Sequence, residues 1–244
     1  KAWAERLLRE DKTHLRRRFR YQNKCVEGSG EPIHLAASVH DKEMMEWLLQ
    51  NGADINAVTP VADPAANPPR LLFVGDLAYG PNRDAALSFA RDVLPRVRKV
   101  VPSAVFRVVG KDPGVELRGI EGVEAPGFVE SLRPELEGAR AFVCPIRYGS
   151  GTRLKLFEAF AAGLPVVSTS LGAEGIEYVD GEHLRIADTP AEQAGAVMEL
   201  LEDDPQARRL GRAGRGLAIE RYDWVQLGRE LVDVYTELIE ITGR

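Results

Sequence analysis

The sequence is poor in the features that mark several protein classes. Only two cysteines, Cys25 and Cys144, occur in 244 residues. That is too few for a disulfide framework, so a reducing compartment, the cytoplasm, is the expectation. The four histidines (His14, His34, His40 and His183) are scattered and show no metal-ligand spacing. No apolar run approaches 18 residues, so no integral membrane segment is expected. No secretory-leader pattern follows Lys1. The net charge of −5 gives no general attraction to nucleic acid. The charge is uneven, however. Residues 1–25 carry nine Lys or Arg against Glu5, Glu10 and Asp11, most densely at Arg16-Arg17-Arg18-Phe19-Arg20. In a helical pattern such a run reads as a solvated face before it reads as a phosphate or RNA patch.

What is present is ordinary for a globular chain. Hydrophobic residues make up 44%, enough for a core, and charged residues 28%. The length allows one large or two modest domains. Thr59-Pro60-Val61-Ala62-Asp63-Pro64-Ala65-Ala66-Asn67-Pro68-Pro69 favours an extended, semi-rigid path over a helix or a central strand. Three regions follow: residues 1–58, a Pro/Ala linker at 59–70, and residues 71–244.

The first region opens with a charged helical pattern over about Ala2–Phe19, then a Gly28-Ser29-Gly30 turn. Between Glu31 and Ala57 two short apolar helical stripes flank His40-Asp41, and Gly52 stands where a left-handed helix cap wants glycine. This stretch resembles an ankyrin repeat, with Glu31 where threonine is usual and His40 where glycine is usual. One such unit does not bury its own apolar face. It is expected to serve as a cap or remnant with a structural role, or as a protein-binding surface.

The second region alternates strands and helices. Strands are expected at Leu71–Val74, Ala104–Val109, weakly near Val123, at Ala141–Cys144 and at Pro165–Ser168. Helices are expected at about Asn82–Val97, near Glu135, at Arg153–Ala162, Pro190–Glu202, Pro205–Glu220 and Trp224–Ile241. Near-continuous apolar strands between amphipathic helices describe a parallel sheet covered on both faces, a doubly wound α/β fold. Such folds bind ligands beyond the carboxyl ends of their strands.

Two strand ends carry chemistry. Gly75-Asp76-Leu77-Ala78-Tyr79-Gly80-Pro81-Asn82 offers a tight turn and a helix amino terminus. Taken alone it is ordinary turn chemistry. Pro145-Ile146-Arg147-Tyr148-Gly149-Ser150-Gly151-Thr152-Arg153-Leu154-Lys155 is richer. Amides freed by glycine, a hydroxyl and clustered cations together make a diphosphate cradle; an ion-paired surface helix is the plainer alternative. It is not a Walker loop, because the Gly-Lys-Ser/Thr ending is missing. Glu158, further into the helix, would face the same crevice and accept hydrogen bonds from ribose hydroxyls.

Residues 71–241 resemble the carboxyl-terminal, donor-binding domain of the family 4 (group 1) glycosyltransferases of GT-B fold. The stretch Gly149–Thr169 carries most of the likeness. Phe73-Val74-Gly75, Tyr79-Gly80-Pro81-Asn82, Val108-Val109-Gly110, Gly127-Phe128-Val129, Gly172-Ala173-Glu174-Gly175-Ile176 and Arg221-Tyr222-Asp223-Trp224 support it in the family's order. The resemblance implies a Rossmann-like half of a GT-B enzyme that transfers a sugar from a nucleotide-diphosphate donor, with retention and without a metal or other cofactor. Arg153 and Lys155 would stabilise the leaving diphosphate. Gly149, Ser150, Gly151 and Thr152 would approach the sugar and phosphates, and Glu158 would bind the ribose. Gly127, Phe128 and Val129 would hold the base, and Gly75, Asp76 and Asn82 would line the crevice. Ser150 stands where many relatives have a glutamate. Asp76 and Pro81 or Asn82 stand where many have cations. A subgroup with Gly-Ser-Gly-Thr-Arg-Leu-Lys in this loop shares these departures. There the loop cations replace the missing ones.

Residues 1–58 are too short for the acceptor-binding Rossmann domain of such an enzyme. Two readings stay open. One is the donor half of a glycosyltransferase, acting with an acceptor domain elsewhere on a glycan or lipid-linked acceptor. The other is a non-catalytic fusion of an ankyrin-type interaction segment, with a protein partner, to a nucleotide-sugar-binding domain.

Overall fold

Residues that are apolar on both faces of a strand need helices above and below, and the chain supplies them in alternation. The computed structural model describes residues 60–111, 115–149 and 154–222. The ankyrin-like stretch, the basic run, Cys25 and the expected helix at 224–241 lie outside these. Six strands form one sheet: β1 (Arg70–Val74), β2 (Val105–Val109), β3 (Val123–Gly127), β4 (Ala141–Cys144), β5 (Val166–Ser168) and β6 (Arg185–Ile186). Each neighbouring pair is parallel, in the order β3-β2-β1-β4-β5-β6. This is the doubly wound arrangement expected from the sequence. β4 and β5 are buried at every residue. β3 is an edge strand, and it carries the exposed Pro126 and an irregular register against β2, which an edge tolerates.

The covering helices are α1 (Gly80–Ser88), α2 (Leu94–Arg98), α3 (Arg133–Glu137), α4 (Leu154–Ala161), α5 (Pro190–Glu202) and α6 (Asp204–Tyr222). The single helix expected over Asn82–Val97 is instead α1 and α2 joined by a π turn at Phe89–Val93, in which the Leu94 amide donates to the Phe89 carbonyl. Pro95 follows at once and has no amide to continue the α ladder. A capping box at Thr189 and Glu192 starts α5. β6 has only two half-buried residues, too few to carry a periodic signal.

The core runs along both faces of the sheet. Phe73, Phe89, Phe106, Phe142 and Phe160 are fully buried, and the Phe89 and Phe106 rings sit 4.5 Å apart. Each such side chain contributes about 1.5–3 kcal/mol on leaving water. The described part of the Pro/Ala segment packs on this domain. The Val61 amide donates to Ala162 O at 2.8 Å, Asp63 pairs in bidentate fashion with Arg208 of α6, and Asn67 Nδ2 donates to Glu137 O and Ala139 O. Prolines remove conformational freedom from this segment, and these bonds fix it against α6 and α3.

One polar cluster holds β2 and β3 to α3. Arg107 donates to both carboxylate oxygens of Glu135, at 2.7 and 2.9 Å, and to Glu124 at 3.2 Å. The guanidinium beside it holds the buried Glu135 carboxyl below the usual glutamate range. Because the folded value is depressed, the stability gained is present above about pH 4 and is lost as pH falls through the folded value. Glu135→Gln should therefore cost about 2 kcal/mol at pH 7 and flatten the acid limb of a melting-temperature profile between pH 6 and 3. An acid limb identical to the parent's would show that this pair does not govern acid stability.

Candidate active site

With β1 and β4 side by side in a parallel sheet, the loops that leave their carboxyl ends diverge to opposite faces. The crevice between them is where an open α/β sheet takes its ligand. The two loops singled out from the sequence are the ones that border it. Gly75–Tyr79 leads from β1 into α1, and Pro145–Gly149 leads from β4 toward α4. Ser150, Gly151, Thr152 and Arg153 lie outside the described residues.

The loops interlock residue by residue. Gly149 has φ +100°, and a Cβ placed on it would fall 2.5 Å from Pro81 Cγ and 3.1 Å from Tyr79 Oη. A Cβ on Gly80 would fall 3.2 Å from Tyr148 Oη. Each tyrosine thus reaches the glycine of the opposite loop. Arg147 donates to both oxygens of Asp84 on α1, at 2.9 and 2.6 Å, and that carboxylate holds the guanidinium above its ordinary pKa. Arg147, one of the loop cations, is therefore a strap between the β4 loop and α1. Lys155 in the first turn of α4 points back across the crevice. Its Nζ donates to Asn82 Oδ1 at 2.6 Å and lies 4.7 Å from the centre of the Phe73 ring. Of the three cations read in this loop, Lys155 is the described one that faces the β1–β4 junction.

The other expected residues line the same edge of the sheet. The Asp76 carboxylate accepts from the Ala78 amide at 2.9 Å and shapes the first turn. Asn82 is buried, and its Nδ2 donates to Asp76 O. The Gly75 amide donates to Val109 O, and the Gly110 amide to Gly127 O, so the ends of β1, β2 and β3 are tied together. Phe128 follows Gly127 with 65% of its surface exposed, whereas Val129 packs against the core. Glu158 is half-buried on α4, one turn beyond Lys155. Beyond β5, Thr169 Oγ1 accepts from the Gly172 amide, and Asp188 binds both the amide and the hydroxyl of Ser170. These bonds order the Gly172–Gly175 turn at the same edge.

Tyr79, Pro81, Tyr148 and the Arg147–Asp84 pair were not singled out as site residues. Their signal is the dipeptide Tyr-Gly, which occurs once in each loop as Tyr79-Gly80 and Tyr148-Gly149. A shallow, open surface depression lined by Val100, Met198, Glu199 and Glu202 lies where the end of α2 meets α5, away from this crevice. Among the described residues no group of three or more His, Cys, Asp or Glu is placed to hold a metal ion, and no helix is long and apolar enough to cross a membrane.

Comparison with known proteins identifies the family and the fold. The model of the family Glycosyl transferases group 1 matches residues 68–203, and that of the ankyrin repeat matches residues 32–60. The chain belongs to the group 1 glycosyl transferases. It is 30% identical over 212 residues to a phosphatidyl-myo-inositol mannosyltransferase of Mycobacterium leprae, covering 80% of this chain and 54% of the relative. The chain spans about half the length of the curated relatives it matches. Among solved structures, sucrose-phosphate synthase from Thermosynechococcus elongatus superimposes with a TM-score of 0.62 at 22% identity, over 82% of this chain and 57% of the other. HepE of Anabaena, in complex with UDP and glucose, does so with 0.60 at 15%, over 75% and 54%. These structures share the fold.

Proposed function

We propose that the β1–β4 crevice binds the nucleoside-diphosphate end of a sugar donor, and that the domain is the donor half of a GT-B glycosyltransferase. The observation that carries this reading is the meeting of Gly149 and Lys155 with the β1 turn at the switch point of the sheet. In this reading the bond from the anomeric carbon to the diphosphate breaks, negative charge grows on the diphosphate, a bond to an acceptor hydroxyl oxygen forms on the same face, and that hydroxyl's proton passes to the departing diphosphate oxygen. Lys155 and Arg153 stabilise that charge in place of a metal ion. Amides of Gly149–Thr152 approach the phosphates, Glu158 accepts from ribose hydroxyls, and the exposed Phe128 ring offers a face to the base. The HepE complex with UDP and glucose supports a donor of this class. An acceptor half, from another domain or chain, places a glycan or lipid-linked acceptor and excludes water. A cytoplasmic location fits such a donor.

The ankyrin-repeat match ahead of the domain favours a second reading, in which the chain binds nucleotide sugar without turnover and docks on a protein partner. Incubation with UDP-glucose, UDP-N-acetylglucosamine and GDP-mannose separates the two. Release of nucleoside diphosphate, by transfer or slow hydrolysis, is expected of the enzyme. Donor binding with no release favours the second reading. The absence of both binding and release would contradict both readings.

A further inference from the structure

The cation that faces the crevice is not left to find its own position. Lys155 hangs on a four-carbon stem with many rotamers, and a mobile ammonium would lose entropy on meeting a phosphate. Here Nζ is held at 2.6 Å by Asn82 Oδ1 and lies over the Phe73 ring. Asn82 is itself fixed. It is buried, its Nδ2 donates to the Asp76 carbonyl at 2.9 Å, and its amide sits where a Cβ on Gly75 would stand, 2.8 Å away. That donation fixes which end of the side-chain amide faces the lysine. The oxygen must point at the ammonium.

The geometry points to Asn82 as a positioning residue: a neutral acceptor, locked by Gly75 and Asp76 O, that holds the Lys155 ammonium at the carboxyl end of β1 for the diphosphate. This inference rests on the donor-site reading. It places Asn82 behind the lysine and assigns its side chain no direct donor contact. Neutrality is what distinguishes this residue type. A carboxylate at the same spot would hold Lys155 as firmly but would cancel its charge and repel a diphosphate. A hydrogen bond to a charged group changes binding by about ten- to a hundredfold.

The test is a double-substitution cycle on the full chain with Asn82→Ala, Asn82→Asp, Lys155→Met and Asn82→Ala combined with Lys155→Met. Calorimetric affinities for UDP and uridine are measured, with melting temperature as the control for folding. Asn82→Ala is expected to weaken UDP about tenfold or more with uridine unchanged, and Asn82→Asp to weaken it further. The combined variant should lose no more than Lys155→Met alone, because both changes remove the same placed charge. The ratio of UDP to uridine affinity is the discriminating readout, since general damage lowers both ligands together. If the parent binds UDP and Asn82→Asp matches it, or the losses in the cycle add, the positioning role is overturned while the donor site stands. Failure of the parent to bind UDP, GDP or ADP overturns both.

Discussion

Replacing Arg153 and Lys155 together by alanine is expected to remove measurable binding of nucleoside diphosphate. Each charge-assisted contact contributes about 1.5–3 kcal/mol, so the pair accounts for roughly a hundred- to ten-thousandfold in affinity. The structure gives the lysine its setting. It stands in the first turn of α4, at the switch point, anchored by Asn82 and lying over Phe73. The loop bordering the crevice offers no substitute among its described cations, because Arg147 is taken up by both oxygens of Asp84. The variant should keep the parent's melting temperature to within a few degrees, since Lys155 is only half-buried. Affinity unchanged by the double substitution would remove the diphosphate from this loop.

The second large effect is on the fold at the same edge. Gly110→Ala should destabilise the domain by about 3 kcal/mol, a large share of a typical 5–15 kcal/mol. A Cβ there would lie 1.9 Å from the Gly75 carbonyl oxygen. Backbone cannot yield cheaply at that point. The Gly75 amide is bonded to Val109 O at 2.9 Å and the Gly110 amide to Gly127 O at 3.1 Å. Relief therefore requires the ends of β1, β2 and β3 to part, which also widens the crevice. The expected result is a urea midpoint well below the parent's with an unchanged slope, together with weakened UDP binding. A change below about 0.5 kcal/mol would mean that the edge is more pliable than this packing implies.

Much of the fold was legible because burial on both faces leaves an unmistakable pattern. Leu71–Val74, Ala141–Cys144 and Pro165–Ser168 are nearly free of polar residues, and each is a strand at or near the middle of the sheet. Pairing order is a tertiary property, and sequence pattern carries no direct record of it. The arrangement β3-β2-β1-β4-β5-β6, which puts the two glycine loops side by side, is visible only in space. β6 escaped because two half-buried residues have no period, and the π turn because the apolar stripe through Phe89, Ala90 and Val93 runs on across it.

The site was legible in part for the same reason. Glycine and cations after a buried strand are a local signal, and Gly149 and Lys155, which the structure brings to the edge of the crevice, carry it. The partner of Lys155 lies 73 positions away, in the first turn of α1. The reciprocal seating of Tyr79 on Gly149 and of Tyr148 on Gly80 likewise joins residues far apart in sequence. Arg147 shows the opposite limit, since a cation in a glycine loop reads as a phosphate ligand until its carboxylate partner is seen. The departures from the family pattern at Asp76 and Asn82 also find a physical setting, for both side chains take part in building the β1 turn.

Titration of the parent chain with UDP, GDP and ADP by calorimetry tests the donor-site claim most directly. The account predicts that one of the three binds with one-to-one stoichiometry, that the corresponding nucleoside binds at least tenfold more weakly, and that the difference shrinks with added salt as charge contacts are screened. Heats of dilution alone for all three would contradict it.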